Sequence, residues 1–449
     1  MSVDELLKRF SADYAQRPAM VWRENVYTYE WLVKRALSCG DKLAGERHVV
    51  SLEADYSPEA VAALFGLLRA GCVVVPLAPE LPARKRDEYM DIAQVSLRSR
   101  WTGDQIHFAM EERGRRAEHP LLASLLEEGS GGLVLFSSGT TGKSKAAVHS
   151  SERLLRKFRT AGRSSRTIPF MLFDHIGGLN ILLQTLASGG CLYVAEDRSP
   201  HEVCRLIERH RIEVLPTSPT FMRLLLISGV CQHYDLSSLQ VVSYGSEVMP
   251  PHTLALWNKQ FPGVRAVQAY GMSEIGVLRT RSASSESLSF SIADSELQYR
   301  IVDGLLELKS GTAMLGYLNA PSPFTRDGWL RTGDEAIVEG NDIRILGRRS
   351  ELINVGGEKV YPAEIESVIE QMDSISEVAV TAEPSAITGQ LIKATVRLRQ
   401  EIGLKELRGM IRAYCLEHLP PYKIPQKIEV TTEPLISNRM KKVRRPHSI

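Results

Sequence analysis

The amino-acid sequence predicts an α/β protein: a large N-terminal domain of doubly wound sheets with a small β subdomain, followed by a smaller α+β domain. Three observations predict this fold class. Over the first half of the chain, amphipathic helices alternate with short buried strands. From about residue 280 to Asp342, helical stripes give way to short alternating segments, which indicates the β subdomain. From Gly347 a second set of helices and strands spans about 100 residues, enough for a compact domain.

The individual elements follow from the spacing of apolar residues. In the first half, apolar residues recur at i, i+3, i+4 and i+7, and each stripe is followed by a short buried run. The stripes are Val61/Leu64/Phe65/Leu68 and Val203/Leu206/Ile207/His210, and the strands are Cys72–Leu77, Leu133–Phe136, Ile212–Leu215 and Val241–Tyr244. The C-terminal elements are a helix from Ile365 to Met372, strands around Val378 and from Ile392 to Leu398, and a helix from Leu404 to Tyr414. We therefore divide the chain into residues 1–346 and 347–449.

Composition and charge exclude several classes of protein. The 449 residues include 55 Lys and Arg against 53 Asp and Glu, a net charge of +2, which gives no field that attracts nucleic acid or a membrane surface. The six cysteines have no CxxC spacing and indicate neither a disulfide framework nor a zinc site. No apolar run reaches the roughly 18 residues that span a bilayer, and the polar start lacks the apolar core of a signal peptide. We therefore expect a cytoplasmic protein that neither spans a membrane nor binds nucleic acid.

A loop rich in glycine, serine and threonine, Ser137–Lys145, directly follows one of the predicted strands. Such loops bind phosphate because glycines let backbone N–H groups approach oxygens, hydroxyls donate hydrogen bonds and lysine supplies positive charge. Gly142-Lys143-Ser144 matches the end of a Walker A loop, but that motif needs a glycine where Ser137 stands. A flexible turn is the other interpretation of the loop taken alone.

The loop resembles the phosphate-binding loop of the adenylate-forming superfamily, which contains acyl- and aryl-CoA synthetases, peptide-synthetase adenylation domains and luciferases. In that family it reads roughly Ser/Thr-Ser-Gly-Thr-Thr-Gly-x-Pro-Lys-Gly, and Ser144 and Ala146 replace the Pro and the last Gly here. The resemblance implies ATP as a substrate, with Thr140 acting at the metal and at the reacting phosphate. The residues implied to hold the phosphates are Ser137, Ser138, Gly139, Thr141, Gly142 and Lys145.

Two later segments resemble the adenine-binding motifs of the same family. Tyr270–Glu274 resembles Tyr-Gly-x-Ser/Thr-Glu, which implies that its serine, Ser273, contacts the α-phosphate. The resemblance also implies that Glu274 holds Mg²⁺, a hard cation that prefers carboxylate and phosphate oxygens. Taken alone, this pentapeptide would be a turn at the start of a helix. The residues implied at the adenine itself are Gly245 and Ser246 of Tyr244–Glu247, together with Tyr270 and Gly271.

The ribose-binding motif follows. Trp329–Asp334 resembles Tyr/Trp-x-x-Thr-Gly-Asp, which implies that Asp334 accepts hydrogen bonds from both ribose hydroxyls. Arg348 opens the hinge signature of the family and is implied to reach the ribose as well. The family usually has Asp or Lys two positions later, as the pivot between the domains, where this chain has Ser350. In isolation the Gly-Asp pair is an ordinary turn.

The segments Ile353–Glu366 and Leu419–Pro425 look most like those of acyl-CoA synthetases. In such enzymes Gly356 and Gly357 would line the channel for the pantetheine arm of CoA, because glycine lets another chain pass very near. The other interpretation is a tight turn before the helix that contains Ile365.

Two further residues are implied at the acid. Asp174–Gly178 resembles the segment in which a His or aromatic residue gates the acyl pocket, which implies this role for His175; a structural histidine is the alternative. The tail Ser437–Arg445 resembles the final Gly-Lys-Ile/Val-x-Arg of the family, whose lysine enters the active site for adenylation. Aligning on Lys-Val-x-Arg selects Lys442, with Lys441 replacing the glycine, and leaves open which of the two acts.

A lysine at that point has a clear electrostatic purpose. The attacking carboxylate and the ATP phosphates are both anions, and like charges about 4 Å apart repel by about 4 kcal/mol at an effective dielectric constant near 20. A cation between them lowers the barrier where charge develops. A solvated basic tail is the other interpretation.

The resemblance spans residues 20–445 and implies ATP-dependent activation of a carboxylic acid as an acyl-adenylate, followed by transfer to CoA once a mobile C-terminal domain has rotated. Three alternatives stay open. The chain could be an acyl-AMP ligase that loads a carrier protein or an amine, a catalytically silent nucleotide- or acyl-binding protein, or a P-loop kinase, which Ser137 disfavours. The sequence indicates neither the acid (fatty, aryl or short-chain) nor the oligomeric state.

Overall fold

The structure is a computed structural model that describes residues 1–43, 45–102, 105–110, 117–138, 144–294, 296–437 and 440–444, without the side chains of residues 100–102, 105–110 and 138. Within these residues the chain forms two large sheets, a small antiparallel sheet, two short ribbons and a separate C-terminal sheet. None of the helices in this described part is long and apolar enough to cross a membrane.

The first large sheet, which we call sheet A, is parallel except for the antiparallel hairpin at one edge. Because its other strands all run the same way, their carboxyl ends lie along one edge, where ligands bind in open α/β sheets. In spatial order its strands are Arg265–Gln268, Val241–Tyr244, Val214–Thr217, Arg166–Thr167, Cys191–Tyr193, Pro18–Trp22 and Asn25–Thr28.

The second large sheet, sheet B, has a parallel centre and antiparallel strands on both sides of it. The predicted phosphate loop joins two of its antiparallel strands, Gly132–Ser138 and Ser144–Ser150. In spatial order its strands are Gly316–Tyr317, Ser144–Ser150, Gly132–Ser138, Val73–Leu77, Val49–Glu53, Leu97–Thr102 and Gln105–Met110.

Helices connect and cover these strands. Three of them begin with a serine N-cap followed by proline, at Ser57, Ser199 and Ser218, and each serine hydroxyl accepts a backbone N–H of the first turn. The α-helices of the described N-terminal part are Val3–Asp13, Tyr29–Asp41, Pro58–Arg69, Ala83–Ile92, Pro120–Glu128, Ser151–Leu155, Ile176–Ala187, Pro200–His210, Pro219–Ser228 and Pro251–Gln260.

One hydrophobic core joins the two large sheets. It includes Met20 and Leu192 of sheet A, Leu52 and Leu135 of sheet B, and the aromatic ring of Phe10 from the first helix. These side chains are at most 3% exposed, so the two sheets are packed into one unit through shared helices. This packing gives the strand ends of both sheets a fixed spacing, on which a binding site can be built.

The small sheet is antiparallel and follows sheet A in the chain, as the alternating pattern predicts. Its strands are Gln298–Val302, Leu305–Lys309, Leu330–Glu339 and Asp342–Arg348. The short ribbons that precede it are Gly271–Met272 with Gly276–Val277, and Thr280–Arg281 with Ser291–Ile292.

The C-terminal sheet starts a separate core after the small sheet. Its strands are Glu358–Val360, Ile353–Val355, Gly389–Leu398 and Ile375–Ser385 in spatial order, with Lys427–Val430 pairing parallel to Gly389–Leu398. The helices Pro362–Ile369 and Leu404–His418 contribute Ile365, Leu407 and Ile411 to its core. The predicted boundary at 346/347 falls within the strand Asp342–Arg348, and the C-terminal sheet begins at Ile353.

The predicted α/β class is confirmed, with mixed rather than purely parallel sheets. The predicted helix around Val61–Leu68 lies within Pro58–Arg69, while the strand predicted at 212–215 runs from Val214 to Thr217. The shift has a local reason, because the backbone N–H of Ile212 still donates to the carbonyl of Ile207 in the preceding helix, at 3.1 Å.

Candidate active site

The neck of the predicted phosphate loop is a β-hairpin. Ser137 pairs with Lys145 and Ser138 pairs with Ser144 across the antiparallel strands of sheet B. The remaining predicted phosphate ligands lie outside the described residues: Gly139, Thr140, Thr141 and Gly142. The structure therefore fixes where the loop starts and ends, at one end of the strand pair.

The two departures from the family loop have partners of their own. The Ser144 hydroxyl lies 2.5 Å from the hydroxyl of Tyr89, whose ring stacks on Phe136 with centroids 3.8 Å apart. Asn319 braces the same strand from the other side, because its amide donates to the Ser144 carbonyl at 2.9 Å and accepts from the Ala146 N–H at 3.0 Å. The base of the loop is thus held by side-chain hydrogen bonds where the family has proline.

Tyr317, which was not predicted from the sequence, contacts both Lys145 and the predicted metal ligand Glu274. The Tyr317 hydroxyl donates to the Glu274 carboxylate, and the Lys145 ammonium lies 5.3 Å from the centroid of the Tyr317 ring. Burial, and then the charge of Glu274, raises the pKa of the Tyr317 phenol, which keeps it a donor. Lys145 therefore lies over the ring of Tyr317, and Glu274 lies at its hydroxyl.

A second missed residue, His149, ties the Tyr270–Glu274 turn to sheet B. Its Nε2 lies 2.6 Å from the Ser273 carbonyl oxygen, and the side chain is 1% exposed. Burial lowers the pKa of His149 to about 4, so the imidazole is neutral and its Nε2–H donates. Because alternate side chains of a strand point to the same face, the side chains of Lys145 and His149 lie on one face of the strand Ser144–Ser150. That periodicity is the signal in the sequence that could have identified His149.

The predicted adenine and ribose residues meet directly. The Tyr270 hydroxyl donates to Asp334 Oδ2 at 2.5 Å, and Arg348 Nε donates to Asp334 Oδ1 at 3.2 Å. Asp334 and Arg348 stand opposite each other in paired strands of the small sheet, which fixes their separation. The Tyr270 ring stacks on Phe290 with centroids 5.5 Å apart.

Electrostatics link this pair to the predicted metal ligand. Burial raises the pKa of Asp334, and Arg348 acts in the opposite direction. For Arg348, burial alone would lower the pKa of the guanidinium, but the nearby charges, including those of Asp334 and Glu274, raise it overall. Arg348 therefore interacts electrostatically with both Asp334, the predicted ribose ligand, and Glu274, the predicted metal ligand.

Two glycines at the predicted adenine wall are required by close backbone contacts. A Cβ at Gly245 would lie 2.5 Å from the Ala269 carbonyl oxygen, and one at Gly271 would lie 2.6 Å from the Val277 Cα. Ser246 is exposed and has a left-handed backbone, with φ of 70°. A flat ligand could therefore lie directly against the backbone at Gly245, Ser246 and Gly271.

Lys441 of the tail lies close to His175, the predicted gate of the acyl pocket. Lys441 Nζ lies 3.4 Å from His175 Nε2, and His175 caps the helix Ile176–Ala187 by accepting the Gly177 N–H at Nδ1, at 3.0 Å. With Nδ1 accepting, the ring proton resides on Nε2. Two donors, an ammonium and an imidazole N–H, therefore face the same space, an arrangement suited to an anionic oxygen.

Lys442 points elsewhere. Its ammonium pairs with Glu370 at 2.6 Å and with Glu366 at 3.2 Å, in the C-terminal domain. The residue before Lys441 is Met440, which has a left-handed φ of 50°, a conformation that favours glycine. Glycine precedes the lysine in the family motif, so this backbone conformation favours an alignment of Met440 with that glycine and of Lys441 with the lysine. The role predicted for Lys442 stays a prediction, and its neighbour competes for it.

Three predicted residues of the hinge and thiol channel lie away from these contacts. Ser350 is exposed in the short 3₁₀ turn that leads from the small sheet to the C-terminal sheet. Gly356 and Gly357 form an exposed hairpin turn with φ of 60° and 98°, and they donate to Thr388 and Asn354 of the C-terminal domain. Their predicted part in CoA binding stays a prediction.

A polar cavity of about 830 Å³ opens at the carboxyl ends of strands from both large sheets. Arg86 and Arg98 line it and pair with Glu53, at 3.4 Å and 2.9 Å. Tyr56, which also lines the cavity, packs edge-on against Phe173, two residues before His175. The cavity therefore lies near the segment that contains His175, and its lining carries both acidic and basic side chains.

Comparisons with known proteins identify the family of the chain. The chain matches the family model for the AMP-binding enzyme over residues 7–98 and 116–312, and that for the AMP-binding enzyme C-terminal domain over residues 364–442. It is 31% identical over 335 residues to a methyl-dioxo-octahydro-indenyl propanoyl:CoA ligase of Mycobacterium tuberculosis, covering 70% of this chain and 65% of that enzyme. A long-chain-fatty-acid–CoA ligase of Bacillus subtilis is 26% identical and is covered over 58% of its length, so the matched part spans less than two thirds of these relatives.

Solved structures share the fold over nearly the whole chain. The anthranilate CoA ligase AuaEII, in complex with anthranoyl-AMP, superposes with a TM-score of 0.80 at 20% identity, covering 98% of this chain and 95% of that one. With the curated relatives and the two family models, which together cover most of the sequence, this likeness leads to one conclusion: the chain belongs to the AMP-binding enzyme family, the adenylate-forming superfamily that its loop and turn motifs resemble.

Proposed function

We propose that the protein activates a carboxylic acid with ATP to give an acyl-adenylate and pyrophosphate, and then transfers the acyl group to CoA as a thioester. One observation carries the proposal. Around the single turn Tyr270–Glu274, the structure joins the loop lysine Lys145, the carboxylate Glu274 and the Asp334–Arg348 pair. A phosphate-binding lysine, a hard-cation ligand and a hydroxyl-binding carboxylate are what a nucleoside triphosphate needs.

The residues fit a magnesium ion at Glu274. The carboxylate is half-buried, and the Tyr317 hydroxyl fixes one of its oxygens, so the group is preorganised beside the phosphate loop. When bound, Mg²⁺ supplies charge neutralisation on the phosphate oxygens. The chain's own contribution is to hold the carboxylate, through Tyr317, and the turn, through His149.

In the first half-reaction, a carboxylate oxygen attacks the α-phosphorus of ATP, the bond to the β-phosphate oxygen breaks, and pyrophosphate leaves with that electron pair. We propose Lys441, in place of Lys442, as the lysine that bridges the two anions, together with the Nε2–H of His175. The 3.4 Å separation of these two donors supports this choice, because one carboxylate or phosphate oxygen can accept from both.

In the second half-reaction, the sulfur of CoA attacks the acyl carbonyl carbon, its proton passes to solvent, and AMP leaves. The CoA ligases among the relatives of the chain support CoA as the acceptor. The class of acid is left to experiment.

Pyrophosphate release from ATP, measured across fatty, aryl and short-chain acids with and without CoA, tests the proposal. We expect acid-dependent pyrophosphate in both conditions and thioester only with CoA. Glu274→Gln should abolish most release, while Glu286→Gln, an exposed carboxylate on a nearby loop, should retain it. Acid-dependent release that yields no thioester would overturn the CoA assignment and favour a carrier protein or an amine. Folded protein that binds ATP but releases nothing with any acid would indicate a silent binder.

A further inference from the structure

The ammonium of Lys442 belongs to a buried cluster of charges, the tail cluster, formed by Arg223, Glu366, Glu370, Lys442 and Arg444. Arg444 Nε lies 2.9 Å from Glu366, and Arg223 Nε lies 3.4 Å from Glu370, in addition to the two ion pairs of Lys442. The carboxylate side chains are only 1% and 4% exposed. Burial alone would raise the pKa of Glu366, but Lys442 and Arg444 outweigh it and hold the pKa well below its usual range.

The tail cluster joins the two parts of the chain. Arg223 lies in the helix Pro219–Ser228 beside sheet A, while Glu366 and Glu370 belong to the first helix of the C-terminal domain and its end. Arg223 also donates to the carbonyl of Glu370 at 2.7 Å and of Ser376 at 3.1 Å. The contacts of Arg223 therefore depend on this arrangement of the two domains, whereas the other four members all belong to the C-terminal domain.

The backbone on either side of Lys441 is fixed to the N-terminal domain. The Ser218 hydroxyl donates to the carbonyl of Met440 at 2.6 Å, and the backbone N–H of Lys442 donates to Glu247 at 2.9 Å. Glu247 itself accepts from the Thr220 hydroxyl at 2.7 Å. Since Lys441 and Lys442 are adjacent, locking the side chain of one into the cluster leaves the other directed at His175.

We propose that Lys442 is a positioning residue: by pairing with Glu366 and Glu370 it fixes the tail so that Lys441 enters the acid-activation site. The inference rests on the proposed function and adds to it the identity of the two lysines. The proposed role of Lys442 has one testable consequence. The pairing acts in the first half-reaction, when Lys441 is at the acid, and has no part in the attack of CoA on a finished adenylate.

Removal of Lys442 should not unfold the chain. Each carboxylate of the cluster keeps an arginine, since Glu366 retains Arg444 and Glu370 retains Arg223. No buried carboxylate is left without a cationic partner within this described cluster, which is the situation that destabilises a protein most. A cavity of about 220 Å³ borders the cluster and gives room for an arginine at position 442.

The test separates the two half-reactions. ATP–pyrophosphate exchange with the best acid of the panel measures adenylation, and thioester formation from synthetic acyl-adenylate and CoA measures transfer. Lys442→Met should lower adenylation about 10²-fold, the usual effect of a misplacement near 1 Å, and leave transfer within about twofold. Lys442→Arg should restore most of the adenylation. The control is Lys423→Met, which removes a 2.6 Å ion pair to Glu364 on the same helix and should change neither rate.

Glu370→Gln decides between positioning and direct catalysis by Lys442. If Lys442 only positions, loss of its closest partner lowers adenylation by about tenfold, the effect of one charged hydrogen bond. If adenylation by Glu370→Gln is normal or faster, Lys442 acts at the reacting atoms and the proposal is overturned. Equal loss in both half-reactions would also overturn it, in favour of a purely structural role. Failure of the proposed function is distinguishable, because the unaltered protein would then show no acid-dependent exchange.

Discussion

The nucleotide-binding turn and the C-terminal tail differ in how they are held. The Tyr270–Glu274 turn is fixed by neighbours of the N-terminal domain, through His149, Tyr317 and Asp334. The tail at 440–444 is fixed by contacts with both domains and runs through a buried ion cluster. In the proposed mechanism, the turn can stay rigid through both half-reactions, whereas the contacts of the tail with Ser218 and Glu247 last only while the domains keep this arrangement.

The tail should show the largest effect on chemistry. Lys441→Ala is expected to lower the rate of adenylation by about 10²–10³-fold, because a cation is lost where charge develops. Steady-state pyrophosphate release measures this, with Lys427→Ala, an exposed lysine of the C-terminal domain, as the control. A normal rate from Lys441→Ala would remove the distinction drawn here between the two lysines.

For the Tyr270–Glu274 turn, the largest expected effect is on the pH dependence of protein stability, through His149. The pKa of His149 falls from 6.5 to about 4 on folding, so the unfolded chain binds the proton more tightly. The stability from the neutral histidine is fully present above pH 6.5 and is lost as pH falls towards 4, by about 3 kcal/mol in all. Urea unfolding of His149→Gln, whose amide can still donate to Ser273, should show a shallower loss over this window. An unchanged pH profile would mean that His149 does not titrate there.

Loss of the pair Asp334–Arg348, the predicted ribose ligands, should weaken nucleotide binding and leave binding of the acid unchanged. Asp334→Asn removes a charged acceptor shared by Tyr270 and Arg348, and hydrogen bonds to charged groups contribute about 1.5–3 kcal/mol. We therefore expect the KM for ATP to rise by about tenfold to 10²-fold with the KM for the acid unchanged. A rise in both constants would place the acid and the ribose carboxylate in one coupled site.

The smallest expected effect is at Tyr317. Tyr317→Phe keeps the ring under Lys145 but removes the hydrogen bond to Glu274, so the carboxylate is less well oriented. Residues behind a metal ligand typically change metal affinity by 10–100-fold, and we expect about tenfold in the Mg²⁺ concentration for half-maximal activity. Tyr299→Phe in the small sheet is the control, and equal Mg²⁺ dependence of both variants would contradict the role given to Tyr317.

Local sequence patterns were enough for the fold class and for the turn. The alternation of helices and strands predicted the α/β architecture, and the Tyr-Gly-x-Ser-Glu and Thr-Gly-Asp motifs predicted residues that the fold brings together, such as Tyr270 with Asp334. Such motifs are read in one stretch of chain. His149 and Tyr317 were not predicted, because their partners lie 124 and 43 residues away in the chain. Only the strand pairing of sheet B brings them to the turn.

For the C-terminal tail, the sequence alone could not decide between Lys441 and Lys442. Aligning letters selected Lys442, because Lys-Val-x-Arg fits the family pattern there. We propose Lys441 instead, because the left-handed residue before it is Met440 and because the ammonium of Lys442 pairs with Glu366 and Glu370. Neither the φ angle nor the buried carboxylates can be read from the sequence of the tail itself.

Oxygen transfer from the acid to AMP tests the formation of an acyl-adenylate most directly. When a carboxylate oxygen attacks the α-phosphorus and CoA later attacks the carbonyl carbon, that oxygen stays on the phosphate. With an acid labelled with ¹⁸O in its carboxylate, mass spectrometry should therefore find one ¹⁸O atom in the phosphate of each AMP released. Label in inorganic phosphate together with ADP, or unlabelled AMP, would contradict activation of the acid as an adenylate.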